Sequence, residues 1–289
     1  YIFNIMTKFI FLNDKIIPET EGNVSTNDRG FLYGDGIYET LRSYKGKPFK
    51  LAEHLERMRH SAKQLKISFD YTNADIGERI NELIDKNRSQ DAYIRITLSR
   101  GTGGGRLQMD DNINPTTLIQ VKPLTQYDSK LYDEGMSLII SNYRRSTSSP
   151  IYCHKSSNLL TSILLKEEAK KRSAHEAIIM NTDEYVAECV VSNIFLVNNG
   201  NVVTPSLNTN ILSGITRRTV LDICKDSRIP AGEELFKVEA LLNADEVFIT
   251  NSLMEIMPVS KMENYKIGKR IPGNITKQLM GAYKCLTGK

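Results

Sequence analysis

Lys155 lies in the run His154, Lys155, Ser156, Ser157, Asn158, Leu159, Leu160, and Glu188 follows it 33 residues later inside the largely apolar run from Val186 to Phe195. A third run reads Ile211, Leu212, Ser213, Gly214, Ile215, Thr216, Arg217. Together they offer an amine, an acid and an anion cradle. Those are the requirements of pyridoxal 5′-phosphate: a lysine for the Schiff base, a carboxylate to keep the pyridine nitrogen protonated, and backbone donors at a helix start for the phosphate.

Each residue also has a plainer reading. A lysine just before an amphipathic helix is most often a solvated end-of-helix charge. The flanks Ile151, Tyr152 and Cys153 on one side and Leu159 and Leu160 on the other instead predict partial burial. Burial disfavours the ammonium, as a Schiff-base lysine requires. Glu188 sits among Val186, Ala187, Cys189, Val190 and Val191, and a buried carboxylate without a partner is costly or becomes protonated. Two partners are open: a neighbouring Arg or Lys, or a cofactor's pyridinium nitrogen. Gly214, Ile215 and Thr216 begin a helical run to Lys225, where free amides and the Thr216 hydroxyl suit a phosphate; the alternative is a helix cap with nothing bound. His54 and Arg57 lie three apart on a helix, and Arg57 could simply pair with Glu53 at i−4 for about 0.3 kcal/mol. Cys153 and Cys189 flank the amine and the acid closely enough for oxidation to disturb them, although core packing is their expected role. His60 and His175 have no metal-ligand spacing, so no metal is expected.

The elements that hold these residues follow from periodicity. Phe9–Leu12 and Lys15–Pro18 flank Asn13 and Asp14 as strand, turn and strand. Gly36–Tyr44 is a second strand, Lys45 to Lys47 its turn, and residues 48–51 the return. Leu55, Met58, Ala62 and Leu65 recur at three and four, predicting a helix over 52–66, and 74–85 repeats the pattern. Ala92–Ser99 and residues 116–121 read as strands around the glycine-rich stretch Gly101 to Gly105. Residues 123–136, with Pro123, scattered charges and Gly135, show no apolar period and read as a linker between a domain over 1–122 and one over 137–289. In the latter, 137–141, 176–180, 185–190, 194–197, 202–204 and 246–250 are strand candidates, with a tight turn over 198–201. Helices are expected over 158–172, 216–225, 239–243 and 275–285. The fold class is α+β.

At 289 residues, 40% hydrophobic and 25% charged, the chain has ordinary globular composition. Thirty-eight basic against 34 acidic residues give +4, spread without a like-charge block, so no nucleic-acid footprint is present. The four cysteines show no C-x-x-C spacing, and no signal-peptide pattern or 18-residue apolar span appears. A reducing, cytoplasmic setting and no membrane partner are expected. Met6 precedes the first strand pattern, so residues 1–5 read as an upstream extension.

Ordered runs across nearly the whole chain carry a resemblance: Asp28 to Gly36, the three runs above, Thr250 to Ser252, and Glu255 to Val259. The sequence resembles the class IV aminotransferase superfamily, the fold-type IV pyridoxal phosphate enzymes, which include branched-chain and D-amino acid aminotransferases and aminodeoxychorismate lyase. The resemblance implies a smaller N-terminal α/β domain, a larger C-terminal domain with a barrel-like sheet, the cofactor between them, and a homodimer acting on a small amino substrate. It places Lys155 on the family's Schiff-base lysine and general base, Glu188 on the pyridine-nitrogen glutamate, and Arg57 on the phosphate arginine. Ile215 and Thr216 fall on the phosphate's backbone donors, Ser252 on the hydroxyl that completes the phosphate cup, and Leu212 on the aliphatic residue under the ring. Leu160 departs from the tyrosine of the branched-chain enzymes and argues against that activity.

Thr40, in Tyr38, Glu39, Thr40, Leu41, Arg42, is similar to the lyases, where threonine could reach the lysine amine. The run Thr250 to Ser252 and the segment from Arg100 to Arg106 also resemble the lyases, whereas Tyr38 and the run from Lys155 to Leu160 are nearer the D-amino acid enzymes. Tyr38, Arg100 and Arg106 are the substrate-side candidates, with a mobile, solvated glycine loop as the alternative for the two arginines. The expectation favours 4-amino-4-deoxychorismate lyase, with a D-amino acid or branched-chain transaminase using 2-oxoglutarate as the alternative. A catalytically silent cofactor-binding protein is a third possibility.

Overall fold

The computed structural model describes residues 8–109 and 113–288. Residues 1–5, read above as an extension, and Met6 lie outside the described residues. Two compact units divide the chain, one of Tyr1–Thr125 with His154–Asn158 and one of Gln126–Cys153 with Leu159–Lys289.

In the first unit, β1 (Phe9–Leu12), β2 (Lys15–Pro18), β3 (Gly36–Tyr44), β4 (Lys47–Pro48), β5 (Ala92–Ser99) and β6 (Thr116–Pro123) form one sheet in the order β2-β1-β6-β5-β3-β4. Its neighbours are antiparallel. Asn13 and Asp14 close the first hairpin with φ of 44° and 72°, the turn geometry that asparagine and aspartate tolerate. Between these strands run α1 (Arg29–Tyr33), α2 (Leu51–Gln64) and α3 (Asn73–Lys86). Alternation in β3 and β5 buries Ile37, Leu41, Ile94 and Ile96 against Leu55 and Met58 of α2 and Ile80 and Leu83 of α3. Each such side chain contributes about 1.5–3 kcal/mol on burial. The opposite sheet face carries the half-buried Tyr38, Thr40, Arg95 and Thr97.

Residues 154–158 belong to this unit rather than to the region expected over 137–289. Backbone pairing is the reason: Tyr38 N donates to Lys155 O (2.9 Å), Ser157 N donates to Gly36 O (2.9 Å), and Ile37 and Ser156 form an antiparallel bridge. Lys155 is therefore laid along the start of β3.

The second unit contains α4 (Lys130–Glu134), β7 (Met136–Arg145), α5 (Leu160–Lys171), β8 (Glu176–Asn181), β9 (Val186–Cys189), β10 (Asn193–Asn198), β11 (Asn201–Pro205) and α6 (Ile215–Asp226). It continues with β12 (Ala231–Glu234), α7 (Val238–Leu242), β13 (Glu246–Asn251), β14 (Glu255–Met262), β15 (Tyr265–Lys266) and α8 (Asn274–Thr287). The strands run β12-β11-β10-β13-β14-β7-β8-β9, with β15 on β14. β9 packs back against β10 and β11, which curls the sheet into the barrel-like form around Ile178, Val186, Ile194, Ile249 and Met257.

Three departures from the periodicity reading stand out. The linker expected over 123–136 contains α4, and the strand read as 116–121 runs on to Pro123. β14, paired to β7, β13 and β15, is absent from the strands read from sequence because Pro258 interrupts its pattern. Pairing with β7 begins only at Val259, so the proline sits where the strand has a single hydrogen-bonded neighbour.

Candidate active site

Lys155 is half-buried, with Nζ 4.6 Å from the centroid of the Tyr38 ring. The flanks credited with burying it contribute less than expected: Leu160 and Cys153 are exposed, which also removes Cys153 from a core-packing role. Arg95, opposite Thr40 on β5, brings its guanidinium carbon to 3.8 Å from the same ring. Tyr38, Thr40, Arg95 and Lys155 thus share one region of the sheet surface. Among the described residues no hydrogen bond joins Thr40 to Lys155; the contact of Lys155 is with the tyrosine.

One residue along from Tyr38, Glu39 points the other way and is 1% exposed. Arg57 donates to it from Nε (2.8 Å) and Nη2 (2.7 Å), and His54 Nδ1 lies 2.7 Å from Oε2. Burial alone would raise the Glu39 carboxyl, but the charge and hydrogen bonds of Arg57, with His54, hold it down to about 2. An ionised carboxylate only accepts hydrogen bonds, so Nδ1 of His54 carries the proton. Burial lowers the His54 pKa, and the charges of Arg57 and Lys155 add to that effect against the pull of Glu39. Glu53, the partner open to Arg57 from sequence, meets Lys50 (2.9 Å), while Arg57 meets Glu39.

The glycine segment is buried at its start, at Arg100 and Gly101, and exposed over residues 104–109. Arg100 is 7% exposed, with Nε and Nη2 on Asp35 (2.8 and 3.0 Å) and further donation to the carbonyls of Leu65 and Lys66. That geometry makes Arg100 a structural tie and does not support a role on a substrate carboxylate. Arg29 also meets Asp35 (2.8 Å) and donates to the carbonyls of Arg106, Leu107 and Gln108. Burial would raise the Asp35 carboxyl, but hydrogen bonds from Arg100 and Arg29 hold it below the usual range. Gly101 has φ of 95°, and a Cβ there would lie 1.9 Å from Asn114 O. The Arg106 side chain is exposed.

In the second unit Glu188 is 8% exposed. Arg145 Nη1 lies 2.5 Å from Oε1, while Asn193 Nδ2 (3.1 Å) and Leu212 N (3.3 Å) donate to Oε2. The neighbouring arginine left open by the sequence is therefore present. Arg145 is itself stacked 4.6 Å over the Tyr152 ring, whose hydroxyl meets that of Tyr143 at 2.5 Å. Asn193 also donates to Leu212 O (3.0 Å). A Cβ at Gly214 would fall 1.9 Å from Asn193 Oδ1, so only glycine lets the start of α6 come this close. Gly214 supplies no side-chain cap, and the first-turn amides of a helix have no intrahelical acceptor. Glu188 and Leu212 are thus tied together through Asn193, which Gly214 approaches just before Ile215 and Thr216 begin α6 and which pairs with Thr250 on β13; Ser252 follows in the β13–β14 turn. Cys189 is buried, and burial pushes its thiol well above the ordinary value.

Glu39, Arg95, Arg145 and Asn193 were not among the residues singled out in sequence. Glu39 carries the same signal as Glu188, a carboxylate inside an apolar strand. The others are polar residues within or at the ends of strands, and nothing in their spacing announces their partners.

Residues 36–262 match the class IV amino-transferase family, and the chain belongs to it. It is 36% identical over 282 residues to the D-alanine aminotransferase of Staphylococcus haemolyticus, covering 96% of this chain and 97% of that one. It is 34% identical over 277 residues to the aminodeoxychorismate lyase of Bacillus subtilis, with coverage of 95% and 93%. The solved branched-chain amino acid aminotransferase of T.th. with pyridoxamine 5′-phosphate superposes with a TM-score of 0.92 at 28% identity, covering 98% of this chain and 95% of that one. The protein is thus an enzyme of a pyridoxal phosphate family. Its residues fit that cofactor: Glu188 holds three donors, leaving acceptor capacity for a ring N–H, and Asn193, which the uncapped α6 start approaches, pairs with Thr250, whose buried Oγ1 has no partner among the described residues. No helix among the described residues is long and apolar enough to cross a membrane.

Proposed function

We propose that this enzyme acts on a small amino substrate through Lys155, with pyridoxal 5′-phosphate held by Lys155, Glu188, Arg57, Ile215, Thr216 and Ser252 and packed by Leu212. When bound, the cofactor draws electrons from the substrate carbon that bears the amine. Lys155 Nζ would accept the proton from that carbon. Glu188 offers a fixed negative charge to the ring nitrogen; Arg145 and Asn193 keep it oriented. The α6 amides and Ser252 would hold the phosphate.

The reaction favoured is 4-amino-4-deoxychorismate lyase. The proton at C4 is lost, the C3–O bond breaks, and the departing enolpyruvate takes up a proton to give pyruvate and 4-aminobenzoate. The observation that carries this reading is the position of Thr40, two residues from Tyr38 on the sheet face that meets Lys155, where its hydroxyl can serve the leaving group. A transaminase is the second reading, favoured by the Tyr38 ring against Lys155 and by the D-alanine aminotransferase relatives. Release of 4-aminobenzoate by the cofactor-loaded enzyme, without a keto acid and lost in Lys155→Ala, supports the lyase. No release, with turnover of D- or L-amino acids on 2-oxoglutarate, establishes the transaminase instead.

A second copy of the chain is the proposed partner. Leu160, Ile163 and Leu164, spaced as one face of α5, are 71%, 61% and 62% exposed, and an apolar stripe of this kind is ordinarily covered. Light scattering at micromolar concentration distinguishes the dimer from a monomer. All four cysteines are free, which supports a reducing, cytoplasmic setting.

A further inference from the structure

Resting on the reading that Arg57 binds the cofactor phosphate, we infer that Glu39 is a positioning residue that presents Arg57 to that phosphate. Glu39 grips the Nε–Nη2 edge of the guanidinium with both oxygens, at 2.8 and 2.7 Å. A guanidinium holds its five donors in one fixed plane, so clamping one edge sets the direction of the opposite, Nη1 edge. His54 occupies Oε2 from the side at 2.7 Å and keeps the carboxylate from rotating away. Arg57 and His54 come from the same helix, α2, so the clamp also fixes that helix on β3.

Stability alone does not call for this arrangement. Glu39 and His54 are each 1% exposed, and burying such a cluster costs desolvation that apolar side chains of the same volume would avoid. What the cluster supplies is direction. Glu39 is flanked by Tyr38 and Thr40, which point to the other sheet face, so one strand sets both the surroundings of Lys155 and the aim of Arg57. A carboxylate at the centre of β3 thereby couples where the phosphate is held to where the amine stands.

The test is the affinity of the full-length chain for pyridoxal 5′-phosphate and for pyridoxal, which lacks the phosphate, in the wild type and in Glu39→Gln, Glu39→Asp and Arg57→Gln. Both Glu39 variants are expected to weaken pyridoxal phosphate binding by about tenfold or more, the scale of a charged hydrogen bond. Pyridoxal binding should stay within about twofold, because a merely structural loss would weaken both ligands alike. Glu39→Asp keeps the charge but is too short for the two-pronged grip, so it decides the matter if Glu39→Gln does not fold. If Arg57→Gln loses the preference for the phosphorylated ligand and the folded Glu39 variants keep it, the positioning role is overturned. If Arg57→Gln also keeps the preference, the phosphate reading of Arg57 fails and the inference falls with it.

Discussion

Tyr38 touches Lys155 twice: its backbone N–H donates to the Lys155 carbonyl at 2.9 Å, and its ring centroid lies 4.6 Å from Lys155 Nζ. The backbone contact places the lysine, and the ring face orients the amine, an interaction of about 0.5–2 kcal/mol. Tyr38→Phe keeps both contacts and should retain Lys155 reactivity, whereas Tyr38→Leu keeps only the first. Turnover of Tyr38→Leu is expected to fall by about tenfold or more. Equal rates for the two variants would show that the ring does not orient the amine.

Gly214→Ala tests the close approach of α6 to Asn193. The φ of Gly214 is −66°, which alanine adopts freely, so the cost is steric alone and should be about 1–3 kcal/mol of stability. The added Cβ displaces Asn193 from Glu188 and should weaken cofactor binding. In an Asn193→Ala background the same substitution should cost little, so a double-mutant cycle by urea unfolding reads the contact directly. Additive costs would contradict the clash.

Glu176 should make the fold pH-dependent. It is 2% exposed, with Lys166 at 3.9 Å, and burial raises its carboxyl from 4.5 to about 7, against the charge of Lys166. Between these values the folded chain holds a proton that the unfolded chain has released, so stability falls as pH rises through that window. The full cost, on the order of 3 kcal/mol, applies above about pH 7. Glu176→Gln should raise the unfolding free energy at about pH 8, with the gain vanishing by about pH 4. A pH-independent difference between the proteins would contradict this.

The two arginines that bound the glycine segment should separate cleanly. Arg100→Ala leaves Asp35 with Arg29 as its remaining ion-pair partner and should cost about 2–4 kcal/mol of stability. Arg106→Ala removes an exposed side chain and should stay within about 0.5 kcal/mol, with any effect confined to KM. Urea unfolding and steady-state kinetics on both variants check the division. A stable Arg100→Ala would return that residue to the candidates for substrate binding.

Local signals in the chain were the most readable. Residues 13 and 14 announce their turn, alternation in β3 and β5 marks a buried face, and Glu188 is conspicuous as a charge among Val186, Ala187, Cys189 and Val190. Contacts between distant elements were not readable. Glu39 has the same signature as Glu188, but its meaning lies in His54 and Arg57, 15 and 18 positions away. Arg100 sits beside a glycine run that suggests mobility, while its ties to Asp35, Leu65 and Lys66 are made through the tertiary fold. β14 escapes because Pro258 breaks the strand pattern, and only the sheet order shows that pairing with β7 starts past the proline. Residues that serve the site through a partner, such as Arg145 and Asn193, carry no spacing of their own.

The most direct test of the account is borohydride reduction of the cofactor-loaded enzyme, followed by peptide mass mapping. The account predicts a single reduced cofactor adduct, on the peptide containing Lys155, absent from Lys155→Ala. An adduct on another lysine, or one that persists in Lys155→Ala, would contradict the assignment on which the proposed chemistry depends.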